Sequence, residues 1–191
     1  MLDGMKSVAI YCGSSLGNSP QYVEVAQQMG RELASRNLRM VYGGGNVGLM
    51  GAAADAALEA GGEVIGVIPR QLIDREMAHS GLGELEVVET MAQRKTRMEE
   101  LADAFICLPG GVGTVEELVE VLTMQQLGHV QGPVGLVNVD GFWEPFMRTL
   151  EAMAACGFVQ SRYIDAIALS SEPAEVLDEF AGWSPIGAKW S

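Results

Sequence analysis

Three glycines and a glutamate in one short segment could bind and act on a phosphorylated ligand. The segment runs from Pro109 to Glu117 and reads PGGVGTVEE, directly after an apolar run. Gly110, Gly111 and Gly113 can adopt backbone angles that other residues avoid, so their N–H groups could converge on an anion at the start of a helix. A carboxylate beside that anion is electrostatically costly. We therefore expect a phosphate-binding turn in which Glu117 has a chemical use.

Glu117 has one chemical and one structural interpretation. Near a ribose phosphate, its carboxylate could stabilise an oxocarbenium-like centre at C1′ or orient a water molecule for attack there. Alternatively, Thr114 and Glu117 have the T-x-x-E spacing of a capping box, and acidic residues in a first helical turn are favourable. Local spacing alone leaves both interpretations open.

A basic segment, MAQRKTRM, lies one helix before this turn. Arg94, Lys95 and Arg97 stand together there in an otherwise acidic chain. The spacing favours a solvated helical face paired with Glu99 and Glu100. In the alternative, Arg94 turns inward to the glycine-rich turn, where a guanidinium could hold a phosphate or stabilise a leaving group.

Two further loops follow predicted strands. Gly43, Gly45 and Gly48 form a literal G-x-G-x-x-G, but the next strand ends in Ile68-Pro69-Arg70 instead of the acidic residue typical of a dinucleotide site, so the signal is weak. Residues 13–17, GSSLG, match the G-x-S-x-G of serine hydrolases, yet the helix start comes too late, and His79 and His129 are in no recognisable catalytic context. We expect Ser14 and Ser15 to donate hydroxyl groups to a ligand or, alternatively, to cap a turn.

Composition limits the function classes. The 191 residues carry a formal net charge of −13, which argues against nucleic acid or an anionic membrane as a partner. Cys12, Cys107 and Cys156 are odd in number and far apart, so we expect reduced, buried thiols and a cytoplasmic protein. No stretch approaches the length of a membrane span. We expect one domain over residues 1–191, with a poorly ordered tail at 182–191.

Short apolar runs alternate with helical patterns, which predicts an α/β fold: a Rossmann-like, doubly wound parallel sheet with helices on both faces. Ligands in such folds bind where strands end and helices begin. The predicted strands are Ser7–Cys12, Arg39–Tyr42, Glu63–Ile68, Leu85–Glu89, Ala104–Leu108, Val134–Asn138 and Ala166–Leu169. The predicted helices are Pro20–Arg36, Gly48–Ala60, Met91–Ala102, Thr114–Leu127, Phe142–Ala155 and Pro173–Phe180.

These motifs together resemble the LOG family, the cytokinin riboside 5′-monophosphate phosphoribohydrolases that are often mislabelled as lysine decarboxylases. The similar segments are PGGVGTVEE, M-x-x-R-K from Met91, VYGGGNVGLMG from Val41, GVIP from Gly66 and PVGLVNVDGFW from Pro133. The resemblance implies a homodimer without cofactor or metal. It also implies hydrolysis of the N-glycosidic bond of cytokinin riboside 5′-monophosphates, AMP or both, releasing free base and ribose 5-phosphate.

The resemblance also implies residue roles. Arg94 and Glu117 match the catalytic pair. Ala92, Met124 and the position of His129 depart from the family pattern, which leaves the base preference open. The implied binding positions are Gly110, Gly111, Gly113 and Thr114 for phosphate, with Lys95, Met98, Gly43, Gly44 and Gly45 as further ligand contacts.

Two other hypotheses have different chemistry. A non-catalytic carrier of a nucleotide or of a molybdenum-cofactor-type pterin would keep the site without the reaction, although the retention of both Arg94 and Glu117 argues against it. A decarboxylase would need a lysine that forms a Schiff base with pyridoxal phosphate. Only Lys6, Lys95 and Lys189 are available, so we discount it.

Overall fold

Seven parallel strands form one sheet in the computed structural model, which describes residues 4–73 and 77–189. Their spatial order is β4-β3-β2-β1-β5-β6-β7. The sheet therefore grows outward from β1 to β4 and then returns to β5 on the other side of β1. This arrangement confirms the predicted Rossmann-like α/β fold and creates a switch point between β1 and β5. The strands are β1 Ser7–Tyr11, β2 Arg39–Tyr42, β3 Val64–Pro69, β4 Glu84–Val88, β5 Ala104–Cys107, β6 Val134–Val137 and β7 Ile167–Ser170.

Within the residues that the structure describes, seven α-helices connect and flank the strands. The first begins as the sequence predicts, because Pro20 occupies its first turn and the Ser19 hydroxyl accepts a hydrogen bond from the Gln21 N–H at 3.4 Å. The sequence did not predict α6 or the short 3₁₀ turns Arg70–Leu72, Val139–Gly141 and Phe180–Gly182. The helices are α1 Pro20–Ser35, α2 Gly48–Glu59, α3 Met91–Leu101, α4 Val112–Leu127, α5 Glu144–Ala155, α6 Ser161–Asp165 and α7 Pro173–Glu179.

The sheet has a hydrophobic core on each face. Successive side chains of a strand point to opposite faces, so Val8 and Ile10 join one core while Ala9 and Tyr11 join the other. The first core is closed by α1, α2 and α7, and the second by α3, α4 and α5. The helices that carry the two predicted chemical segments, α3 and α4, therefore cover the same face.

The last residues of the described chain are held by hydrogen bonds. Tyr163 Oη donates to the Gly187 carbonyl at 2.9 Å, and the Lys189 N–H donates to the Gln126 carbonyl at 2.8 Å. The predicted poorly ordered tail is thus bonded as far as residue 189, and residues 190 and 191 lie outside the described residues.

The three cysteines differ in their burial. Cys12 and Cys107 are buried as predicted, but Cys156 is exposed, because it ends α5 on the outer surface. Within residues 4–73 and 77–189, no helix is long and apolar enough to cross a membrane.

Candidate active site at the switch point

Three loops meet where β1, β2 and β5 end. The Gly13 N–H donates to the Pro109 carbonyl at 3.1 Å, and the Leu49 N–H donates to the Gly13 carbonyl at 3.0 Å. Gly48 has a φ of 59°, and a Cβ there would overlap the backbone of Ser14. This glycine is therefore required for close approach of the loops after β1 and β2.

The three loops and α3 enclose a cavity of about 310 Å³. A volume of this size suits a small ligand, and the mixture of apolar and polar walls is typical of a binding site. The cavity is lined by Ile10, Tyr11, Cys12, Gly13, Ser14, Gly43, Met50, Leu72, Met91, Arg94, Met98, Gly111, Val112, Gly113, Thr114, Glu116 and Glu117.

The start of α4 supplies the anion-binding geometry. Its N-cap residue is Gly111, which has no side chain to bond the first-turn amides, so these amides remain available to a ligand. A Cβ on Gly111 or Gly113 would meet nothing within 4 Å, whereas a Cβ on Gly110 would overlap the side chain of Thr114. Gly111 and Gly113 thus face open space, while Gly110 allows the buried Thr114 to pack closely.

The predicted special backbone angles of this turn are wrong. Among the described residues, the glycines with positive φ lie elsewhere, and Gly111 has a φ of −93°. The reason is that the turn enters α4 directly, without a left-handed residue. These glycines contribute small size and accessible amides.

The alternative interpretation of Thr114 and Glu117 as a capping box is wrong. Because α4 begins at Val112, Thr114 is the third helical residue and Glu117 lies in the second turn. The reciprocal bonds of a capping box occur instead at α3, between Thr90 and Gln93. Local capping therefore does not explain Glu117.

Arg94 turns inward, in contrast to the solvated face that spacing alone favoured. The residue is 4% exposed, and its Nη2 donates to the Gly43 carbonyl at 2.8 Å. A Cβ on Gly43 would overlap Nη2. A glycine at the end of β2 therefore makes room for a buried guanidinium at the cavity wall.

Arg94 and Glu117 act electrostatically on the same thiol. Burial raises the pKa of Cys12 well above its ordinary value, the charge of Glu117 raises it further, and the charge of Arg94 lowers it. Burial and then Glu117 also raise the pKa values of Tyr11 and Cys107. The Cys12 thiol consequently stays protonated and is no nucleophile. The two charged residues come from different helices, Arg94 from α3 and Glu117 from α4.

The structure brings part of the predicted binding set to the cavity. Met98, Ser14, Gly43, Gly111, Gly113 and Thr114 line it, as do Arg94 and Glu117. The predicted contacts Lys95, Ser15, Gly44, Gly45 and Gly110 are not among its lining residues.

Two of these residues, Lys95 and Gly44, make contacts away from the cavity. Lys95 pairs with Glu116 and Glu120 on α4. The Gly44 carbonyl accepts a hydrogen bond from the His79 N–H at 3.0 Å, which ties its loop to the segment after residue 76.

Ser14 and Ser15 are both exposed, and within the described chain neither hydroxyl caps a backbone group.

The serine-hydrolase interpretation is excluded. His79 donates from Nε2 to Asp55 and accepts the Gly81 N–H at Nδ1, so both ring nitrogens are occupied. His129 is exposed beyond the end of α4. Neither histidine lines the cavity that contains Ser14, and α1 starts only at Pro20.

Sequence reasoning missed the apolar wall of the cavity. Met50, Met91 and Leu72 contribute it, together with the predicted Met98. Met50 and Met91 lie within the first turns of α2 and α3, so their proximity to strand ends was a usable signal. Leu72 belongs to a 3₁₀ turn that no pattern indicated.

Comparison with known proteins shows relatives over nearly the whole chain. A family described as "Possible lysine decarboxylase" matches residues 50–180. The cytokinin riboside 5′-monophosphate phosphoribohydrolase LOG of Oryza sativa subsp. japonica is 42% identical over 188 residues, covering 97% of this chain and 78% of the relative. The phosphoribohydrolase LOG7 of Arabidopsis thaliana is 42% identical over 180 residues, covering 94% and 83%.

Solved structures share the fold at lower identity. The molybdenum cofactor carrier protein of Chlamydomonas reinhardtii has a TM-score of 0.71 at 17% identity, covering 91% of this chain and 94% of that one. The molybdenum cofactor binding protein of Rippkaea orientalis has a TM-score of 0.68 at 21% identity, covering 92% and 95%. At such identities the similarity concerns architecture alone.

Proposed function

The chain belongs to the LOG family of phosphoribohydrolases, and we propose on this premise that Arg94 and Glu117 carry out its reaction in the switch-point cavity. The reaction is hydrolysis of the N-glycosidic bond of cytokinin riboside 5′-monophosphates, AMP or both. Water adds to C1′, and free base and ribose 5-phosphate leave.

One observation carries the assignment of these residues. Arg94 and Glu117 face a single cavity that also contains the open amides at the start of α4. A phosphate at those amides would place the attached ribose beside Glu117. The apolar wall of Met50, Met91 and Met98 would then suit the base.

The phosphate positions the substrate in this mechanism. The amides of Gly111 and Gly113, with Thr114, bind the 5′-phosphate, and binding energy from this remote group holds C1′ near the carboxylate. No metal or cofactor enters the proposal.

The charged pair then acts on the glycosidic bond. Glu117 stabilises positive charge at C1′ or positions the attacking water. Arg94 assists departure of the purine by stabilising the electron density that the base takes with it. An anionic nucleobase is a poor leaving group, so stabilising its charge lowers the barrier to cleavage of the glycosidic bond.

Exchange of Glu117 for glutamine tests the assignment. Glu117→Gln keeps the shape of the side chain but removes its charge, so we expect AMP to bind as before while base release falls by about 10²-fold or more. The assay incubates pure protein with AMP and with isopentenyladenosine monophosphate and measures free base and ribose 5-phosphate. Glu24→Gln, an exposed change on α1, is the matched control. Undiminished turnover in Glu117→Gln would refute its role, and the ratio of the two wild-type rates gives the base preference.

The carrier and decarboxylase hypotheses find less support. The carriers are only 17–21% identical to this chain, so their ligand does not transfer. Among the described residues that line the cavity, there is no lysine that could form a Schiff base. Tight binding of AMP without any product would nevertheless favour a carrier.

We propose further that the protein is a homodimer in the cytoplasm. Helix α5 supports the dimer, because it carries an apolar stripe but buries no residue completely. The cytoplasm is supported by three free cysteines, which fit a reducing compartment. The net charge of −13 gives no support to nucleic acid as a partner.

A further inference from the structure

Lys95 bridges the two helices that supply the catalytic pair. Its ammonium group contacts Glu116 Oε1 and lies 2.6 Å from Glu120 Oε2, and the side chain is only 14% exposed. Lys95 follows Arg94 on α3, and Glu116 precedes Glu117 on α4. A bond between Lys95 and Glu116 therefore fixes the backbones from which the two catalytic side chains extend.

The ammonium group also neutralises a group of carboxylates. Burial and the charge of Glu120 raise the pKa of Glu99, and the charge of Lys95 lowers it. Burial alone would lower the pKa of Lys95, but its hydrogen bonds to Glu116 and Glu120 outweigh burial and raise it. Lys95 thus stays charged between Glu99 on its own helix and the two glutamates on α4.

Removal of this cation would leave three carboxylates close together. Their repulsion would push α4 away from α3, because like charges at short range disfavour the arrangement that brings them together. The distance between Arg94 and Glu117 depends on the same two helices. A structural charge cluster is therefore coupled to the geometry of the active site.

We propose that Lys95 is a positioning residue, which holds Arg94 and Glu117 in place at the cavity through its ion pairs with Glu116 and Glu120. This inference rests on the proposed function of that pair. It departs from the ligand-contacting role that the family resemblance implies, because the ammonium group is held by carboxylates of α4 and does not line the cavity.

Lys95→Met separates positioning from ligand contact. The variant keeps an unbranched side chain that is only one atom shorter, and it removes the charge. We expect kcat to fall about tenfold, since small displacements of catalytic groups are costly, while KM and the calorimetric Kd for AMP change by less than about twofold. A phosphate contact would behave differently: KM and Kd would rise about tenfold or more, and that result would overturn the proposal.

A rescue experiment tests the carboxylate repulsion directly. In Lys95→Met/Glu116→Gln/Glu120→Gln, the repelling charges are absent together with the lysine, so we expect kcat to recover to within about threefold of Glu116→Gln/Glu120→Gln. Lys95→Arg, which retains a cation, should also keep most of the activity. A triple variant that is as slow as Lys95→Met would show that repulsion is not the cause and would refute the inference.

Failure of the inference is distinguishable from failure of the proposed function. If wild-type protein released no base, the phosphoribohydrolase assignment would fail and the positioning role would fail with it, and AMP binding by Lys95→Met would still show whether Lys95 contacts the ligand. If wild-type protein is active and Lys95→Met loses affinity for AMP, only the positioning role fails. Melting temperatures of all variants identify any that do not fold.

Discussion

At the scale of single residues, the site depends on close approach between a glycine and an arginine. Gly43 ends the β2 region, and its carbonyl accepts the hydrogen bond from Arg94 Nη2. The absence of a Cβ lets the guanidinium lie against the backbone. Burial of this charge requires hydrogen bonds, because an uncompensated guanidinium in an apolar environment is very costly. The first glycine of the G-x-G-x-x-G sequence thus makes room for an arginine, while Gly48 allows the close approach to Ser14.

Gly43→Ala should displace Arg94 without unfolding the protein. The added methyl group overlaps Nη2 and lies 2.9 Å from Cζ, so the end of the side chain must move. We expect kcat/KM for AMP to fall by about 10²-fold, as displacement of a catalytic group by about 1 Å can cause. Steady-state kinetics and a thermal melt measure the two effects.

Gly83→Ala is the matched control for this change. A Cβ at exposed Gly83 meets nothing within 4 Å, and its φ is not positive. Its activity should equal that of the wild type. Wild-type activity in Gly43→Ala would show that the position of the Arg94 guanidinium is unimportant for the reaction.

At the scale of elements, the first residue of α4 decides what Glu117 is for. A helix that began after Thr114 would make Thr114 and Glu117 a capping box, and no further function would be needed. The observed start at Val112 moves Glu117 into the second turn and leaves Gly111 as an N-cap without a side chain. The open amides and the carboxylate consequently point to a ligand.

Gly113→Ala tests the start of α4 as a phosphate site. Alanine is the better helix former, and its Cβ meets no protein atom within 4 Å, so stability should rise by about 0.5–1 kcal/mol. The same methyl group occupies space that the phosphate needs, so we expect the Kd for AMP to rise about tenfold or more. Adenosine, which lacks the phosphate, should bind with unchanged affinity. A stabilised variant with unchanged AMP affinity would place the phosphate elsewhere.

The elements were largely predictable from the sequence, but the side-chain arrangement was not. All seven strands were predicted within a residue or two. The central strands β1, β3, β5 and β6 are buried on both faces and therefore read as short apolar runs, whereas edge strand β4 is only partly buried. The 3₁₀ turn that carries Leu72 has no such pattern. The inward turn of Arg94 and the pairing of Lys95 with α4 depend on which helices share a face, which local spacing does not determine.

At the scale of the whole molecule, the two helical layers are packed to different extents. Helices α1 and α2 approach so closely that a Cβ on Gly30 would overlap the Ala53 carbonyl. On the opposite layer, Phe146, Met147 and Leu150 of α5 are only partly buried, and Phe158 beyond its end is 77% exposed. Such an apolar surface is typical of a protein interface.

The exposed apolar surface of α5 predicts where a second copy of the chain binds. In a two-fold dimer each contact occurs twice, so one substitution changes both halves of the interface. Met153 on α5 is 41% exposed in the single chain, and Met153→Asp would bury two carboxylates at the interface without disturbing the core. We expect a cost of roughly 2–4 kcal/mol and a dimer dissociation constant raised on the order of 100-fold. Light scattering coupled to size-exclusion chromatography measures the mass across a dilution series.

Gln21→Asp introduces the same charge on the opposite layer and serves as the control. Gln21 is exposed in the first turn of α1, where a carboxylate is favourable, so this variant should remain as dimeric as the wild type. A monomeric wild type would exclude the dimer, and a Met153→Asp variant that stays dimeric would assign the interface to another surface.

Because α4 lies in the same layer as α5, an interface at α5 would also border the cavity. Loss of the dimer should then raise KM for AMP while the chain remains folded, which ties assembly to the site at the switch point.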